Sequence, residues 1–427
     1  MSAVYERLES LEKIGIKLGL RNIKTILAEL GQPQTVYRSI LIAGTNGKGS
    51  TGAMLESILS KHGLKTGYYT SPHLIDVRER IQVNRGMISG QQFEDLLTSV
   101  FKAVDLLMAA GKLEGPPTYF EIMTAVAFLH FRIAEVDFAV IEVGLGGRFD
   151  ATNALNQNLS VITSIDYDHE EFLGKSIAQI ASEKAGIFKA GVPVVSGCLP
   201  MEATDIIRET AENLNCKLHV FDSSALADLH LENGFPVFHY EAWNRKIRVN
   251  LRGRHQASNA GVALLACDVL RESGIEIKTD AVIDGLNEVT WPGRLDLLQE
   301  DPPTLLDCAH NPMGAKSLAT FLKDYGWKNV VVLFTAMKDK KIPGMLHQVG
   351  PFTRQMVLTR VHPFSRCATQ EQLEKASAAE KIPFEFEEST ETALNIAISH
   401  AAQLQLPLLI FGSIYLAGEI LSKLQKS

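Results

Sequence analysis

The chain of 427 residues is short of several things at once. It has five cysteines (Cys198, Cys216, Cys267, Cys308 and Cys367), scattered, odd in number and without a CxxC pair. That usage speaks against a disulfide framework or a structural zinc site, and for a reducing compartment. It lacks a basic surplus: 42 Lys and Arg face 49 Asp and Glu, a formal charge of −7. No grip on a nucleic-acid backbone is therefore expected, although local basic pockets for a small anion stay open. It lacks a membrane-length apolar run, because the most apolar stretch, "MTAVAFLHFRIAEVDFAVIEVGLG", is interrupted by His130, Arg132, Glu135 and Asp137. The opening "MSAVYERLESLEK" is charged and amphipathic, with no apolar core of a secretory leader. Repeats of solenoid length and low-complexity segments are missing too. The expectation is a cytoplasmic protein with neither membrane nor nucleic acid as a partner.

What is present is the composition of a globular protein, 46% hydrophobic and 21% charged. The length exceeds one ordinary core, so two domains are expected. Short β-rich runs (39–43, 66–70, 138–143, 159–165 and 192–196) alternate with helical stretches (51–62, 91–110, 120–134 and 176–185). This alternation predicts an α/β fold with a mostly parallel sheet covered by helices, which binds ligands at the carboxyl ends of its strands. Three prolines and a glycine interrupt the pattern in "VTWPGRLDLLQEDPP", which places a domain boundary near residue 294. Beyond it "TLLDCAH", "NVVVLFTAM", "RQMVLTRV" and "LPLLIFGS" restart the alternation as a smaller, Rossmann-like α/β domain. The expected domains are thus 1–294 and 295–427.

Several residues stand out chemically. "AGTNGKGST" follows an apolar strand and opens a helix, the arrangement that aims backbone N–H groups at phosphate. It departs from the strict phosphate-loop pattern, since Ile42 stands where a glycine is wanted and Gly49 separates Lys48 from Ser50. Glu142 lies inside "FAVIEVG", a run that should be buried on both faces, so its carboxylate needs a partner or a hard cation such as Mg2+. His169 and Ser71 follow strands and fall at the same sheet edge. In "SIAQIASEKAGIFK", Lys184 shares a helix face with Ile177, Ile180 and Ala181. Its amine must either snorkel to water or be neutralised, and carbamylation would turn it into an anionic metal ligand. Asp307 and His310 end a strand in "LDCAHNP", and Arg294 lies in the linker, where it could reach a cleft between domains.

Taken together, "GTNGKGST", "YTSPHL", "TYFE", "EVGLGGRFDATN", "DHEEFLG", "SEKAGIFK", "WPGR", "LDCAHNP" and "FGSIYLAGE" resemble the folylpolyglutamate synthase/dihydrofolate synthase family, relatives of the muramyl ligases. The resemblance runs in order along nearly the whole chain. It implies an ATP-dependent amide ligase that adds L-glutamate to folate, to dihydropteroate or to both, through an acyl phosphate. It implies that Thr45, Asn46, Gly47, Lys48, Gly49 and Ser50 hold the ATP phosphates, and that Asn259, Arg294, Asp307 and His310 contact the nucleotide. Ser71, Glu142, His169 and carbamylated Lys184 match the family's metal ligands, with two Mg2+ sites and a monovalent cation as further expectations. Lys48, Glu142, His169 and Lys184 are the catalytic candidates. Thr118, Tyr119, Phe120, Glu121, Arg148, Phe149 and Asp150 match segments lining the pterin or folate site. Lys17 stands where some pteroate-using members carry an acid, which bears on the choice of acceptor. A monomer is expected. The alternatives are a monofunctional folylpolyglutamate synthase, or a small-molecule kinase built on the same glycine-rich turn.

Overall fold

The computed structural model describes residues 3–15, 17–362 and 365–424. The chain divides into two compact units, Met1–His73 with Val77–Ser223 and Asn259–Glu288, and Leu74–Asp76 with Ser224–Ser258 and Val289–Ser427.

The first unit is built on β1 (Arg38–Ala43), β2 (Thr66–Tyr69), β3 (Ile81–Val83), β4 (Gly86–Met87), β5 (Phe138–Glu142), β6 (Leu159–Ile162), β7 (Val194–Ser196) and β8 (Leu218–Val220). Their order in the sheet is β4-β3-β2-β5-β1-β6-β7-β8. From β2 to β8 all pairings are parallel; β3 and β4 add an antiparallel edge. Strands such as "SILIA" and "FAVIE" are buried on both faces, which is why they read as continuous apolar runs rather than alternating ones. β1 lies between β5 and β6, so the chain leaves the centre of the sheet in both directions. The crevice that such a divergence opens lies at the carboxyl end of β1.

The helix Lys48–Lys61 follows β1 and is buried from Gly49 to Leu59. A helix buried all round shows little apolar periodicity, and this one depends on close approach by the helix Thr279–Glu288. A Cβ at Gly285 would stand 2.6 Å from Ile58 Cα, so glycine is what permits that approach. Glu56 on the same helix is buried but accepted, because Thr66 Oγ1 donates to it at 2.6 Å and Arg85 Nε at 3.2 Å.

The second unit contains an antiparallel sheet of β9 (Leu226–Glu232), β10 (Phe235–Tyr240) and β11 (Arg245–Arg248), in the order β11-β10-β9. This sheet lies outside the strands expected from the alternation, although Asn233-Gly234 between two alternating runs is a hairpin signal; both residues adopt positive φ, at 51° and 84°. A second sheet joins β12 (Asp296–Glu300), β13 (Pro303–Leu306), β14 (Val330–Phe334), β15 (Thr353–Leu358), β16 (Phe384–Phe386) and β17 (Leu408–Phe411) in the order β12-β13-β17-β14-β15-β16. It is parallel except at β12, which lies in the proline-rich stretch read as an interruption. Alternate residues of its strands face two separate apolar clusters, Val330, Val332 and Phe334 on one side, Val331 and Leu333 on the other.

Gly285→Ala should lower stability by about 1–3 kcal/mol, because the new methyl meets backbone rather than a movable side chain. Thermal unfolding measures it, and an unchanged midpoint would show that the two helices can separate freely.

Candidate active site

The loops after β1, β2, β5 and β6 gather at one edge of the first sheet. The turn Gly44–Gly47 is shaped by what surrounds it. Gly47 sits at φ 84°, and a Cβ there would be 2.5 Å from Asn259 Oδ1, so Asn259 closes on the turn from the helix His255–Glu272. The segment after β6 splints the turn: Thr45 N donates to Ser164 O at 2.7 Å, Asn46 N to Ser164 Oγ at 2.9 Å, and Thr163 Oγ1 to Asn46 O at 2.7 Å. Thr45 Oγ1 donates to Asp166 O at 3.0 Å. These splinting residues, Thr163, Ser164 and Asp166, were missed in the sequence; the polar run "TSIDYD" directly after an apolar strand is the signal that marks them.

Two lysines meet on the turn. Lys48 Nζ donates to Gly44 O at 3.1 Å and to Thr45 O at 3.3 Å. Lys184 Nζ, from the helix Ile177–Ala185, donates to the same Gly44 O at 2.8 Å. Lys184 is only 4% exposed, so its amine does not snorkel to water. Burial, and then the nearby Lys48 ammonium, push its pKa down to about 7, with Asp168 and Asp150 pulling the other way. An amine in that range is present partly as the free base, the form that can attack carbon dioxide.

Glu142 ends β5 at 5% exposure, and its partners are a hydroxyl and an amide rather than a cation. Thr70 Oγ1 donates to its Oε2, as does Ser71 N at 3.4 Å. Among the described residues Glu142 Oε1 accepts no hydrogen bond, and Ser71 Oγ makes none. The unbonded oxygen of Glu142 and the neighbouring hydroxyl form a donor pair suited to a hard cation. His169 lies after β6 in the left-handed region at φ 50° and caps the short helix Glu170–Leu173; its Nε2 is 3.9 Å from Asp168 Oδ1. Among the described residues no three His, Cys, Asp or Glu side chains stand together as a metal cluster.

Thr118 and Glu121 have a local task. Thr118 is the N-cap of the helix Tyr119–Ile133, and the two form a capping box: Glu121 N donates to Thr118 Oγ1 at 3.2 Å, Thr118 N to Glu121 Oε2 at 2.7 Å. Between them, Tyr119 lies under the Arg80 guanidinium at 5.4 Å and Phe120 packs on Tyr69 at 5.9 Å. Phe120 also requires Gly144, where a Cβ would come within 2.6 Å of its ring. In "GGRFD", Arg148 donates to Glu183 Oε1 at 3.2 Å, Phe149 is exposed, and buried Asp150 accepts from Leu145 N at 2.8 Å and Thr152 N at 3.0 Å. Burial raises the Asp150 pKa.

The remaining candidates belong to the second unit. Arg294 is carried on a turn in which Gly293 has φ 76° and Leu295 φ 50°, the latter an unfavourable conformation for a branched side chain. Two carboxylates clamp the turn: Asp296 accepts from Gly293 N at 2.5 Å, and Asp307 from Leu295 N at 3.0 Å and Ala309 N at 2.8 Å. Burial raises the Asp307 pKa, opposed by Arg294, and pushes Asp296 up to about 6. His310 Nδ1 is hydrogen-bonded to Cys308 O at 2.9 Å, and Cys308 is a buried core residue.

Residues 42–267 match the Mur ligase middle domain and residues 293–414 the Mur ligase glutamate ligase domain. The chain is 41% identical to a dihydrofolate synthase/folylpolyglutamate synthase of Bacillus subtilis, over 79% of this chain and 80% of that one. It is 31% identical to a dihydrofolate synthetase of Saccharomyces cerevisiae over 96% and 98% of the two lengths. Among solved structures, the folylpolyglutamate synthase of Mycobacterium tuberculosis complexed with ADP and AMPPCP superposes with a TM-score of 0.91 at 31% identity, covering 98% of this chain and 97% of that one. E. coli FolC in complex with DHPP and ADP gives 0.86 at 29% identity over 100% and 98%.

Gly47→Ala should weaken ADP binding at least about tenfold, or about 1.4 kcal/mol, since the methyl strains the turn and displaces Asn259. Calorimetric titration reads this directly, and undiminished affinity would mean that the turn does not carry the nucleotide.

Proposed function

Because the chain belongs to the Mur ligase family, among the enzymes named dihydrofolate synthase/folylpolyglutamate synthase, we infer that it joins L-glutamate to a folate-type carboxylate at the expense of ATP. The observation that carries the reading is the glycine turn with Lys48 and Lys184 on one carbonyl, beside buried Glu142 with an oxygen to spare. An acceptor carboxylate oxygen attacks the γ-phosphorus of ATP, the bond to the bridging oxygen breaks, and ADP leaves. The amine of L-glutamate then attacks the acyl carbon, loses a proton and expels inorganic phosphate as the amide forms.

The chain's own residues contribute position and charge, which is most of what phosphoryl transfer asks of a protein. Thr45 N and Asn46 N are held by Ser164, so the N–H groups from Gly47 onward, at the start of the helix, would meet the phosphates, and Lys48 would move from Gly44 O onto them. Magnesium, when bound, neutralises the phosphate oxygens. Glu142 Oε1 and Ser71 Oγ are the oxygens that would hold it, and His169 with carbamylated Lys184 would supply the second of two sites. Asn259, Arg294, Asp307 and His310 are assigned to the nucleotide on the motif match. The segments 118–121 and 148–150 are assigned to the pterin side in the same way; there Phe149 is exposed, whereas Thr118 and Glu121 cap a helix. Further parts of the same proposal are action on both dihydropteroate and folate, a glutamate-ligase domain from residue 295 onward, a monovalent cation, and work as a monomer in the cytoplasm.

ADP release with dihydropteroate, tetrahydrofolate and a UDP-muramyl peptide as separate acceptors tests the reading. The first two should support release that depends on L-glutamate; release with none of the three, or without need of an amino acid, overturns it. Hydroxylamine should trap a hydroxamate of the acceptor, which a kinase making a phosphate ester cannot yield. Lys184→Ala should lose at least about 100-fold in turnover, and bicarbonate-free enzyme should be less active than enzyme given bicarbonate. Wild-type turnover in Lys184→Ala removes the carbamate from the account.

A further inference from the structure

Five cations, Arg245, Lys246, Arg248, Arg252 and Arg254, fall within ten residues of a chain whose formal charge is −7. Two of them are neutralised, Lys246 by Glu232 at 3.3 Å and Arg254 by Asp324 at 3.1 Å. Arg248 donates to the neutral oxygen Asn250 Oδ1 at 3.3 Å. Arg252 makes no hydrogen bond or ion pair among the described residues, and its Nε is buried without an acceptor. Both guanidinium groups nevertheless stand over one ring, Arg248 at 4.3 Å and Arg252 at 4.5 Å from the centroid of Phe235. An aromatic face attracts a cation but accepts none of its N–H donors in the plane of the fork.

The platform is fixed in place. Phe235 begins β10 just after the Asn233-Gly234 turn, where a Cβ at Gly234 would meet Phe321 and Tyr325 at 3.2 Å. Gly253 N donates to Gly234 O at 2.8 Å, and Arg254 Nη1 to Leu229 O at 3.3 Å, which ties the Arg252 backbone to the hairpin. In the ladder Arg248 lies opposite Val237 and Phe235 opposite Glu232, so Phe235 and Arg248 share a sheet face with His230, Lys246 and Glu232, whose carboxylate is engaged by His230 at 3.2 Å and Lys246 at 3.3 Å. The acid whose charge reaches Arg252 is Asp296, and its Oδ2 is already taken by Gly293 N. Two guanidinium groups over one ring, neither of them hydrogen-bonded to a carboxylate among the described residues, are matched to an external anion.

We propose that Arg248 and Arg252, held over Phe235, form a binding site for the carboxylates of a γ-linked oligoglutamate chain. This rests on the glutamate-ligase reading, whose acceptors and products would carry such a chain. A guanidinium fork takes a carboxylate through two parallel hydrogen bonds, and each γ-linked glutamate adds one α-carboxylate. Two neighbouring forks therefore favour a chain over a single amino acid. Phosphate oxygens suit the same forks, so a nucleotide is the competing source.

The test is calorimetric titration of the full chain, free of nucleotide, with tetra-γ-glutamate, with L-glutamate and with ATP. Tetra-γ-glutamate should bind, more weakly as salt rises, and Arg252→Gln and Arg248→Gln should each weaken it at least about fivefold. Arg252→Lys should fall between wild type and Arg252→Gln. Arg245→Gln removes an exposed cation away from the ring and should leave the affinity unchanged. Unfolding midpoints of the variants separate lost folding from lost binding. Equal binding of tetra-γ-glutamate by wild type and both glutamine variants overturns the site, and so does a loss confined to ATP. Failure of every acceptor to support glutamate-dependent ADP release is a separate result: it strikes the reaction, whereas this site stands or falls on the titration.

Discussion

One backbone carbonyl, that of Gly44, receives the amines of both Lys48 and Lys184. Two full positive charges ~5 Å apart repel by about 3 kcal/mol at the effective dielectric of a protein surface, and more where water is excluded. Burial adds to that cost at Lys184, and the pair relieves it by letting Lys184 give up its proton near neutrality. The turn thereby carries the charge of Lys48 beside an amine that is in part uncharged. A phosphate chain that draws Lys48 off the carbonyl and a carbamate that converts Lys184 to an anion would each relieve the same crowding.

The acid side of the site follows a similar logic. Glu142 is a carboxylate at the end of a strand that is otherwise wholly apolar, and Thr70 and Ser71 satisfy only one of its oxygens. A group left half-satisfied in a buried place is costly unless something else arrives. The fold makes this concentration of unmet charge possible by topology. β1 is flanked by β5 and β6, so the loops after all three open on one edge, where backbone and side chains are free of sheet pairing. Rigid strands then hold the groups that loops alone could not keep in register.

Much of this was legible in the residues. Continuous apolar strands followed by glycine-rich or polar turns predicted the parallel sheet, and the helix face of Lys184 placed it among apolar residues while leaving open whether its amine reaches water, which its burial decides. Other parts were not legible, for reasons that differ. The hairpin of β9 and β10 carried an Asn-Gly signal that the βαβ rhythm around it masked. The capping box of Thr118 and Glu121 lies within a motif whose family resemblance suggested a ligand, while the local hydrogen bonds give both residues a structural role. Thr163, Ser164 and Asp166 support the glycine turn from 117 or more positions away, a distance that local pattern does not bridge.

By itself the sequence determined the alternation of strands and helices, the glycine turn with its lysine, and the presence of an acid and an amine in apolar settings. Those properties depend on periodicity and on conformational freedom, which neighbours along the chain decide. Only the tertiary structure decided that Lys48 and Lys184 share a carbonyl, that Glu142 keeps one oxygen unused, that Asn259 closes on Gly47, and that Arg252 has a ring beneath it but no acceptor. Each of these joins segments far apart in the chain. Such meetings follow from the order of strands in a sheet and the packing of helices across it, and no local propensity encodes that order.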